Sequence, residues 1–411
     1  MEVRCLSAGI PTSKGELAML RKTRLFTPGP TPLLPAAQQA IAAADIHHRT
    51  AEFREIFTRS LADLKTFIGT QNDVLILAAS GSGAMEASVS NLTSPGDKVV
   101  VLSAGKFGER WRDIAKAFGC QIEWVSAPYG ETFDLNEVKS KLDGARVLYV
   151  QGTETSTGAR HDVKGIASLL KGTDTLLVVD AITGLGTTQF DVDGWGIDII
   201  IGGSQKAVMI PPGLAYLAVS ERAWQRMETT KNPRYYFDLR KERKSAAKGE
   251  SAFTPATALI AGLLAALDYI RKSGKGDLAA GRDALIHNAE TSAEMVRAGA
   301  KALGLGLFAP ACPAAAVTAV LPPAGVDSSA LVKEFRERFA MVVANGQGEM
   351  KGKMIRIAHL GYYDYMDAIG VIGALEQVLL QVAPSHRFEL GAGLRAVQET
   401  YAEQFAEAVK V

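Results

Sequence analysis

Short apolar runs alternate with amphipathic stretches along the chain from residue 74 onward. This alternation is typical of βα units that feed a mainly parallel sheet buried on both faces. Seven apolar runs are predicted to be its strands: residues 74–77, 98–102, 121–125, 146–150, 175–179, 198–201 and 214–219. The pattern therefore predicts an α/β fold with a large, doubly wound domain built around a mainly parallel seven-stranded sheet.

The character of the sequence changes beyond residue 220. A charged segment at 234–250 precedes a long helical run at 257–273. The remaining pattern predicts a smaller α+β domain with a helix at 282–303, a strand at 316–321, a helix at 328–339, a strand at 354–357 and an amphipathic tail helix at 393–409. We therefore expect three parts: an N-terminal arm over 1–24, a large domain over 25–272, and a small C-terminal domain with its tail over 273–411.

The first 24 residues mix charged and small side chains and lack the continuous apolar core of a signal peptide. The organised pattern begins only at Leu25. We expect an arm there, and either Met1 or Met19 could be the true start.

Composition and charge narrow the classes of function. The 411 residues carry 45 basic and 44 acidic side chains. Because the two charges nearly balance, the sequence lacks the excess of positive charge that would indicate a nucleic-acid partner. The longest apolar stretch, 256–267, is shorter than the roughly 20 residues of a membrane span, so we expect no membrane partner either. Three widely separated cysteines, Cys5, Cys120 and Cys312, do not form a disulfide framework and favour a reducing, cytoplasmic location.

A glycine-rich loop, Ala79 to Ala84, follows the first predicted strand and opens a helical stretch. Backbone N–H groups and the helix dipole would converge there on an anion such as a phosphate. A tight turn that needs glycine for backbone freedom explains the loop equally well. The loop matches neither the GxGxxG nor the GxxxxGKS/T pattern, which counts against a dinucleotide fold and a nucleotide triphosphatase.

Three charged residues stand in or directly after apolar strands. Asp180 ends one predicted strand and Lys206 follows the next, and ligands of open α/β sheets bind at such strand ends. A desolvated lysine has a lowered pKa, and its neutral amine can attack an aldehyde. Arg356, embedded in an apolar strand, needs a carboxylate partner. A helix cap, a surface lysine and an internal salt bridge are the respective structural alternatives.

Six separated motifs occur in order: Phe26 to Thr31, His48-Arg49, the loop Ser80 to Ala84, Thr155 to Gly158, Val179-Asp180, and Ser204-Gln205-Lys206. Together they resemble the class V aminotransferases, and within them the alanine-glyoxylate and serine-pyruvate aminotransferase group, which includes bacterial proteins named as the small subunit of a soluble hydrogenase. The resemblance spans roughly residues 25–382. It implies a homodimeric fold-type I transferase that depends on pyridoxal 5′-phosphate.

The resemblance implies a role for each matching residue around this cofactor. Lys206 would form the Schiff base and then shuttle the proton, and Asp180 would pair with the protonated pyridine nitrogen, keeping the ring an electron sink. The phosphate would be held by a larger set: the backbone amides of Ser82, Gly83 and Ala84, and the side chains of Gln205 and the partner subunit's Thr254.

Four further positions match residues of the family's substrate and ring pocket. Phe107 would stack on the pyridine ring, and the Thr155 hydroxyl would lie near the phenolic oxygen. Arg356 would bind the substrate carboxylate. Gly29 would form a pocket wall with little room for a long side chain, which favours alanine, serine or glycine as the amino donor.

The chain also departs from the family pattern. Ala84 stands where the animal enzymes have a histidine, and Ser251 falls near the position of a tyrosine that contacts the phosphate from the partner subunit. These differences leave the cofactor contacts at both positions open. The adjacent histidines His47 and His48 lack further ligands at suitable spacing, so we predict loop structure there and no metal site.

The implied reaction is ping-pong transamination between a small amino acid, alanine or serine, and a small 2-oxo acid, glyoxylate or pyruvate. One alternative is a lyase of the cysteine desulfurase type, for which Cys312 is the candidate nucleophile, although it lacks a flexible glycine- and serine-rich loop. The other is a non-catalytic subunit of a redox assembly. The Lys206, Asp180 and Arg356 set argues against that reading.

Overall fold

The computed structural model of the chain describes residues 20–408, with side chains described as far as residue 404. Most of the predicted N-terminal arm, and both candidate starts, Met1 and Met19, lie outside the described residues. The strands are β1 Arg24–Phe26, β2 Asp73–Leu77, β3 Lys98–Ser103, β4 Gln121–Ser126, β5 Val147–Gln151, β6 Thr153–Glu154, β7 Ala159–Arg160, β8 Leu176–Asp180, β9 Ile199–Gly203, β10 Ala215–Val219, β11 Val317–Val320, β12 Met341–Asn345 and β13 Ile355–Ala358.

Helices cover both sheet faces and most of the C-terminal third. They are α1 Pro35–Ala43, α2 Ala51–Ile68, α3 Gly81–Leu92, α4 Lys106–Ala117, α5 Leu135–Lys141, α6 Val163–Leu169, α7 Glu221–Met227, α8 Leu239–Ala246, α9 Thr257–Ser273, α10 Leu278–Ala302, α11 Ser328–Phe339, α12 Tyr365–Val382 and α13 Ala392–Ala408. A short 3-10 helix spans Gly348–Met350.

The seven predicted strands form one sheet in the order β2-β10-β9-β8-β5-β3-β4. Strand β10 is antiparallel to both neighbours and the other pairs are parallel, so the predicted mainly parallel sheet is confirmed. Successive residues of each strand enter different cores: Val99 and Val101 pack on one face, Val100 and Leu102 on the other. Burial on both faces explains why the strands are continuous apolar runs.

A second sheet has four strands in the order β1-β12-β13-β11. Its first strand comes from the N-terminal side of the chain, where Phe26 is buried beside Tyr363, with ring centroids 5.8 Å apart. The predicted boundary placed Leu25 and Phe26 in the large domain, but β1 pairs in parallel with β12 in this second sheet. The prediction is wrong at this point because pairing with a strand more than 300 residues away leaves no local signal.

Helix α12 is long and apolar enough to cross a membrane by length and composition alone. Its buried residues, among them Val371, Leu375 and Leu379, belong to the core beside the second sheet, and this packing accounts for its composition. Helix α13, predicted as a tail helix, packs on the same core through Val397. Its start is fixed by Glu376, whose carboxylate accepts hydrogen bonds from the Gly391 and Leu394 amides at 2.9 and 3.2 Å.

Candidate active site

The residues predicted to bind the cofactor lie together at one edge of the large sheet. Asp180 ends β8, Lys206 follows β9, and the loop that contains Ser80 follows β2. Because β2 and β9 are both antiparallel to β10, they run in the same direction, and their carboxyl ends meet at this edge. Residues that are far apart in sequence thus surround one cleft, as expected for an open α/β sheet.

Lys206 is buried, with 9% of its surface exposed, and its Nζ donates a hydrogen bond to the Pro28 carbonyl. Burial lowers the pKa of Lys206 to about 8, while Asp180 opposes the shift and the Arg356 and Arg110 charges add to it. The lysine backbone is fixed as well, because the Thr31 hydroxyl donates to its carbonyl at 3.0 Å. A neutral amine is therefore readily available at this position.

Gly29 lies directly against the lysine side chain. Its φ is +138°, a region that side-chain-bearing residues rarely adopt, and a Cβ built on it would lie 2.7 Å from Lys206 Cε. The sequence predicts Gly29 as a wall that limits the substrate side chain. The structure places it against the lysine, so the space that glycine leaves is used first by Lys206.

Asp180 is 5% exposed and lies on the sheet face that α3 and α4 cover. Its Oδ1 accepts a hydrogen bond from the Ile182 amide at 2.9 Å. Burial raises the pKa of Asp180 to about 6, and the Ile182 bond and the Lys206 and Arg110 charges oppose that shift. A buried carboxylate with one accepted hydrogen bond can still receive a cationic donor.

The predicted phosphate loop has the expected strand-to-helix form, since α3 begins at Gly81 directly after Ser80. Of the three predicted amide donors, Gly83 already donates to the Ser80 carbonyl at 2.8 Å. Its lack of a side chain is needed because a Cβ there would lie 2.9 Å from Phe237 Cζ. The Ser82 hydroxyl accepts from Arg110 Nη1 at 2.9 Å. Gln205 Oε1 is buried and has no hydrogen-bond partner among the described residues.

Arg356 lies on β13 with 4% of its surface exposed. Its Nε and Nη2 donate to the Asn345 carbonyl at 3.0 and 2.8 Å, and its Nη1 donates to the Thr155 carbonyl at 2.9 Å. Since a guanidinium has five N–H groups, one remains on each terminal nitrogen. Burial lowers the pKa of Arg356 to about 10, opposed by Glu154. No carboxylate of the described residues lies within ion-pair distance, so an internal salt bridge does not account for Arg356.

Thr155 and Phe107 take up positions near these groups. The Thr155 hydroxyl donates to Thr183 Oγ1 at 2.8 Å, so the structure adds a second hydroxyl, which the sequence analysis missed. Phe107 lies in the first turn of α4, and the guanidinium carbon of Arg110 is 4.8 Å from its ring centroid. Sequence reasoning also missed Arg110, because only the packing of α4 against α3 brings it to Ser82.

Glu154 is the most fully enclosed of the missed residues, with 0% exposure. Its Oε2 accepts from the Phe107 and Gly108 amides at 3.1 and 3.3 Å, and its Oε1 accepts from the Ser156 amide at 3.1 Å and from the Ser156 hydroxyl. Burial raises the pKa of Glu154 to about 6, and these hydrogen bonds oppose the shift. The only sequence signal was a single acidic residue in a polar loop. Glu154 joins the start of α4 to the loop that carries Thr155.

Thr254 lines a cavity with Tyr236, Glu242, Ser251 and Phe253, and the same cavity is lined by Leu77 and Ala78, directly before the predicted phosphate loop. Among the described residues Thr254 makes no hydrogen bond to Lys206, Asp180 or the phosphate loop. The rings of His47 and His48 lie 4.5 Å apart in the predicted loop. Residues 20–404 contain no group of three or more His, Cys, Asp or Glu side chains that could hold a metal ion.

Comparison with known proteins places this geometry in a family. The model of the family described as "Aminotransferase class-V" matches residues 36–346. The chain is 40% identical to the soluble hydrogenase small subunit of Synechococcus sp. (strain PCC 6716), covering 92% of this chain and 98% of that protein. It is 32% identical to the L-aspartate–glyoxylate aminotransferase of Paracoccus denitrificans, covering 95% and 99%.

A solved structure shows the same fold. The alanine–glyoxylate aminotransferase from Nostoc sp. is 28% identical, with a TM-score of 0.82 over 89% of this chain and 98% of that one. The predicted fold-type I architecture and the resemblance seen in the motifs are thereby confirmed. The chain belongs to the class-V aminotransferase family, whose members are pyridoxal-phosphate-dependent enzymes.

Proposed function

We propose that this enzyme transfers the amino group of a small amino acid, alanine or serine, to glyoxylate or pyruvate, and that Lys206 is the residue that holds its cofactor. The observation that carries the proposal is the burial of Lys206 next to the carboxylate of Asp180, at the ends of neighbouring strands. Burial lowers the pKa of this lysine, which favours its neutral amine.

The residues of the cleft fit pyridoxal phosphate. The remaining N–H pair of Arg356 lacks a partner that the substrate carboxylate would supply. The start of α3 favours an anion through its helix dipole, and Asp180 is placed for a cationic ring nitrogen. When bound, the cofactor supplies an aldehyde and an electron sink that stabilises negative charge at the substrate α-carbon.

Lys206, Asp180 and Glu154 would then have separate roles in the reaction. Lys206, with its pKa of about 8, offers a substantial neutral fraction near neutral pH and can both attack an aldehyde and carry a proton on Nζ. Asp180 would hold a proton at the ring nitrogen. Glu154 would keep Phe107 and the Thr155 loop in place through its hydrogen bonds.

Arg356 would orient the substrate. Its two remaining N–H groups form a donor pair for a carboxylate, a geometry that planar guanidinium groups recognise well. The names of the Paracoccus and Nostoc relatives both give glyoxylate as a substrate, with aspartate and alanine as the respective donors. These names support glyoxylate as the acceptor here. Because they give different donors, the amino donor of this enzyme has to be identified by experiment.

We further propose that the enzyme is a cytoplasmic homodimer in which the partner subunit's Thr254 completes each phosphate site. Among the described residues, Thr254 makes no hydrogen bond to the phosphate loop of its own chain, and this supports the proposal. So does the exposure of Tyr235, 73% in the single chain, whose ring centroid lies 5.7 Å from that of Phe253 next to Thr254. Light scattering of the purified enzyme tests the dimer.

The substrate test measures glycine formed from glyoxylate. The enzyme is loaded with pyridoxal phosphate and supplied with L-alanine, L-serine or L-aspartate as donor, with Lys206→Ala as the control. Glycine from alanine or serine, absent in the variant, is the expected result. Turnover with aspartate alone would overturn the proposed donor, and no turnover with any donor would overturn the proposed reaction.

The name of the Synechococcus relative favours a second candidate, a subunit of a redox assembly. Isolation of the native protein with a metal-bearing partner would support it. For the lyase alternative, Cys312 is the relevant residue. Its thiol donates to the Gly130 carbonyl at 3.4 Å, and burial raises the pKa of Cys312, the opposite of what a poised nucleophile requires.

A further inference from the structure

We propose that Arg110 is an additional binding residue for the cofactor's phosphate group. This inference rests on the proposed function, because it assigns a residue to the same cofactor site. Arg110 is outside the six motifs, and its role follows from where α4 places it.

Arg110 is held in place beside the start of α3. Arg110 Nη1 donates to the Ser82 hydroxyl at 2.9 Å, which fixes the guanidinium beside the first turn of α3. The ring of Phe107, one turn earlier on α4, supports the same guanidinium at 4.8 Å. A long and otherwise flexible side chain is thus held over the helix start that the proposed function gives to the phosphate.

The charge of Arg110 is not neutralised by an ion pair among the described residues. The neighbouring cations of α4 have acidic partners: Lys106 pairs with Glu109 at 2.8 Å, and Arg112 with Asp113 at 3.1 Å. Among residues 20–404, no carboxylate lies within ion-pair distance of Arg110. A cation that is fixed in place without an acidic partner is available to an anion.

Arg110 also lies close enough to the reacting groups to affect their charge. The positive charge of Arg110 contributes to lowering the pKa of both Asp180 and Lys206. Its field therefore reaches the cleft itself. A phosphate dianion at the start of α3 would interact with both the helix dipole and a guanidinium, which binds phosphate oxygens through two parallel N–H groups.

A competing account gives Arg110 only the task of bracing Phe107. The two accounts differ in what they predict for a cofactor that lacks the phosphate. Bracing would affect pyridoxal and pyridoxal phosphate alike, because both carry the ring that Phe107 would cover. Phosphate binding would affect pyridoxal phosphate alone.

The test is equilibrium titration of the apoenzyme with pyridoxal phosphate and with pyridoxal, followed by tryptophan fluorescence. The variants are Arg110→Gln and, as a matched control, Arg112→Gln. Arg112 lies on the same helix as Arg110, and its guanidinium also lies over an aromatic ring, that of Trp124, at 4.9 Å. We expect Arg110→Gln to weaken pyridoxal phosphate binding at least about tenfold, the scale of a charge-assisted contact, and to leave pyridoxal binding unchanged. Arg112→Gln should resemble the unmodified enzyme with both ligands. Inorganic phosphate should compete with pyridoxal phosphate less effectively in Arg110→Gln.

Equal weakening of both ligands by Arg110→Gln, or no weakening at all, would overturn the inference. If the variant fails to fold, Arg110→Lys keeps the charge and should show a smaller loss confined to pyridoxal phosphate; a loss that includes pyridoxal overturns the inference in the same way. Failure of the unmodified chain to bind pyridoxal phosphate would instead contradict the proposed function, so the two failures are distinguishable.

Discussion

Replacing Glu154 by glutamine tests the hydrogen bonds that hold the start of α4. The carboxylate accepts four hydrogen bonds, from the Phe107, Gly108 and Ser156 amides and the Ser156 hydroxyl. The amide of glutamine has one acceptor oxygen, and its NH2 group would face donors instead of accepting from them. With the NH2 group on the Ser156 side, the Ser156 hydroxyl can turn to accept from it, so one buried donor, the Ser156 amide, would lose its acceptor.

The size of the effect follows from that count. A buried donor left without a partner costs about 1–3 kcal/mol, so we expect a loss of about that size in the free energy of unfolding. The matched control is Glu242→Gln. Glu242 is also buried, but its Oε2 accepts one hydrogen bond, from the Ala252 amide at 3.0 Å, and its Oε1 has no partner among the described residues. An amide can satisfy that arrangement with little or no loss.

The assay is urea unfolding of the apoenzyme at neutral pH, followed by far-ultraviolet circular dichroism. Glu154→Gln should unfold at a clearly lower urea concentration than the unmodified chain, and Glu242→Gln should not. Pyridoxal phosphate binding should also weaken in Glu154→Gln, because Phe107 loses its anchor. If the two variants unfold at the same urea concentration, the reasoning about Glu154 is refuted.

Three further substitutions follow from the structure. Gly29→Ala should reduce covalent loading of pyridoxal phosphate, measured by borohydride trapping, because the new Cβ would displace the end of the Lys206 side chain. Gly96→Ala, with a φ of +86° but open space around it, should load normally. Burial raises the pKa of Glu242 to about 7 from an ordinary 4.5, so its contribution to stability is present below pH 4.5 and lost as the pH rises through 7. Glu242→Gln should therefore match the unmodified chain in melting temperature near pH 4 and exceed it above pH 7. Arg356→Lys should raise the KM for the amino donor at least about tenfold, since a lysine cannot replace the paired N–H groups; an unchanged KM would remove Arg356 from the substrate site.

The strands of the large sheet were predictable because each has a signal in its own short stretch of sequence. Each strand is buried on both faces, so each appears as a continuous apolar run in the sequence, and the structure moves its ends by only one or two residues. Strand β1 was missed because it has only three residues and gains its stability from a partner far along the chain, and that partner, β12, was missed with it. Helix α8 was also hidden, within a charged segment, because only Leu239 and Glu242 turn inward.

The residues of the candidate site also differ in whether the sequence around them carries a local signal. Asp180 and Lys206 were predicted because a charged residue at the end of an apolar strand is visible in the sequence. Glu154 and Arg110 were not, because their partners lie 46 to 47 and 28 positions away on α4 and α3. Their roles depend on how these helices pack, and no local pattern encodes that packing.

The most direct test of the central claim is the visible absorption spectrum of the purified enzyme with pyridoxal phosphate, before and after addition of L-alanine. Lys206→Ala is compared with Lys98→Ala, whose amine donates to the Asp143 carbonyl at 2.7 Å at the opposite edge of the sheet. The account predicts a visible cofactor band that alanine converts to the pyridoxamine form in the unmodified enzyme and in Lys98→Ala, with no conversion in Lys206→Ala. The same conversion in Lys206→Ala, or no cofactor band in the unmodified enzyme, would contradict it.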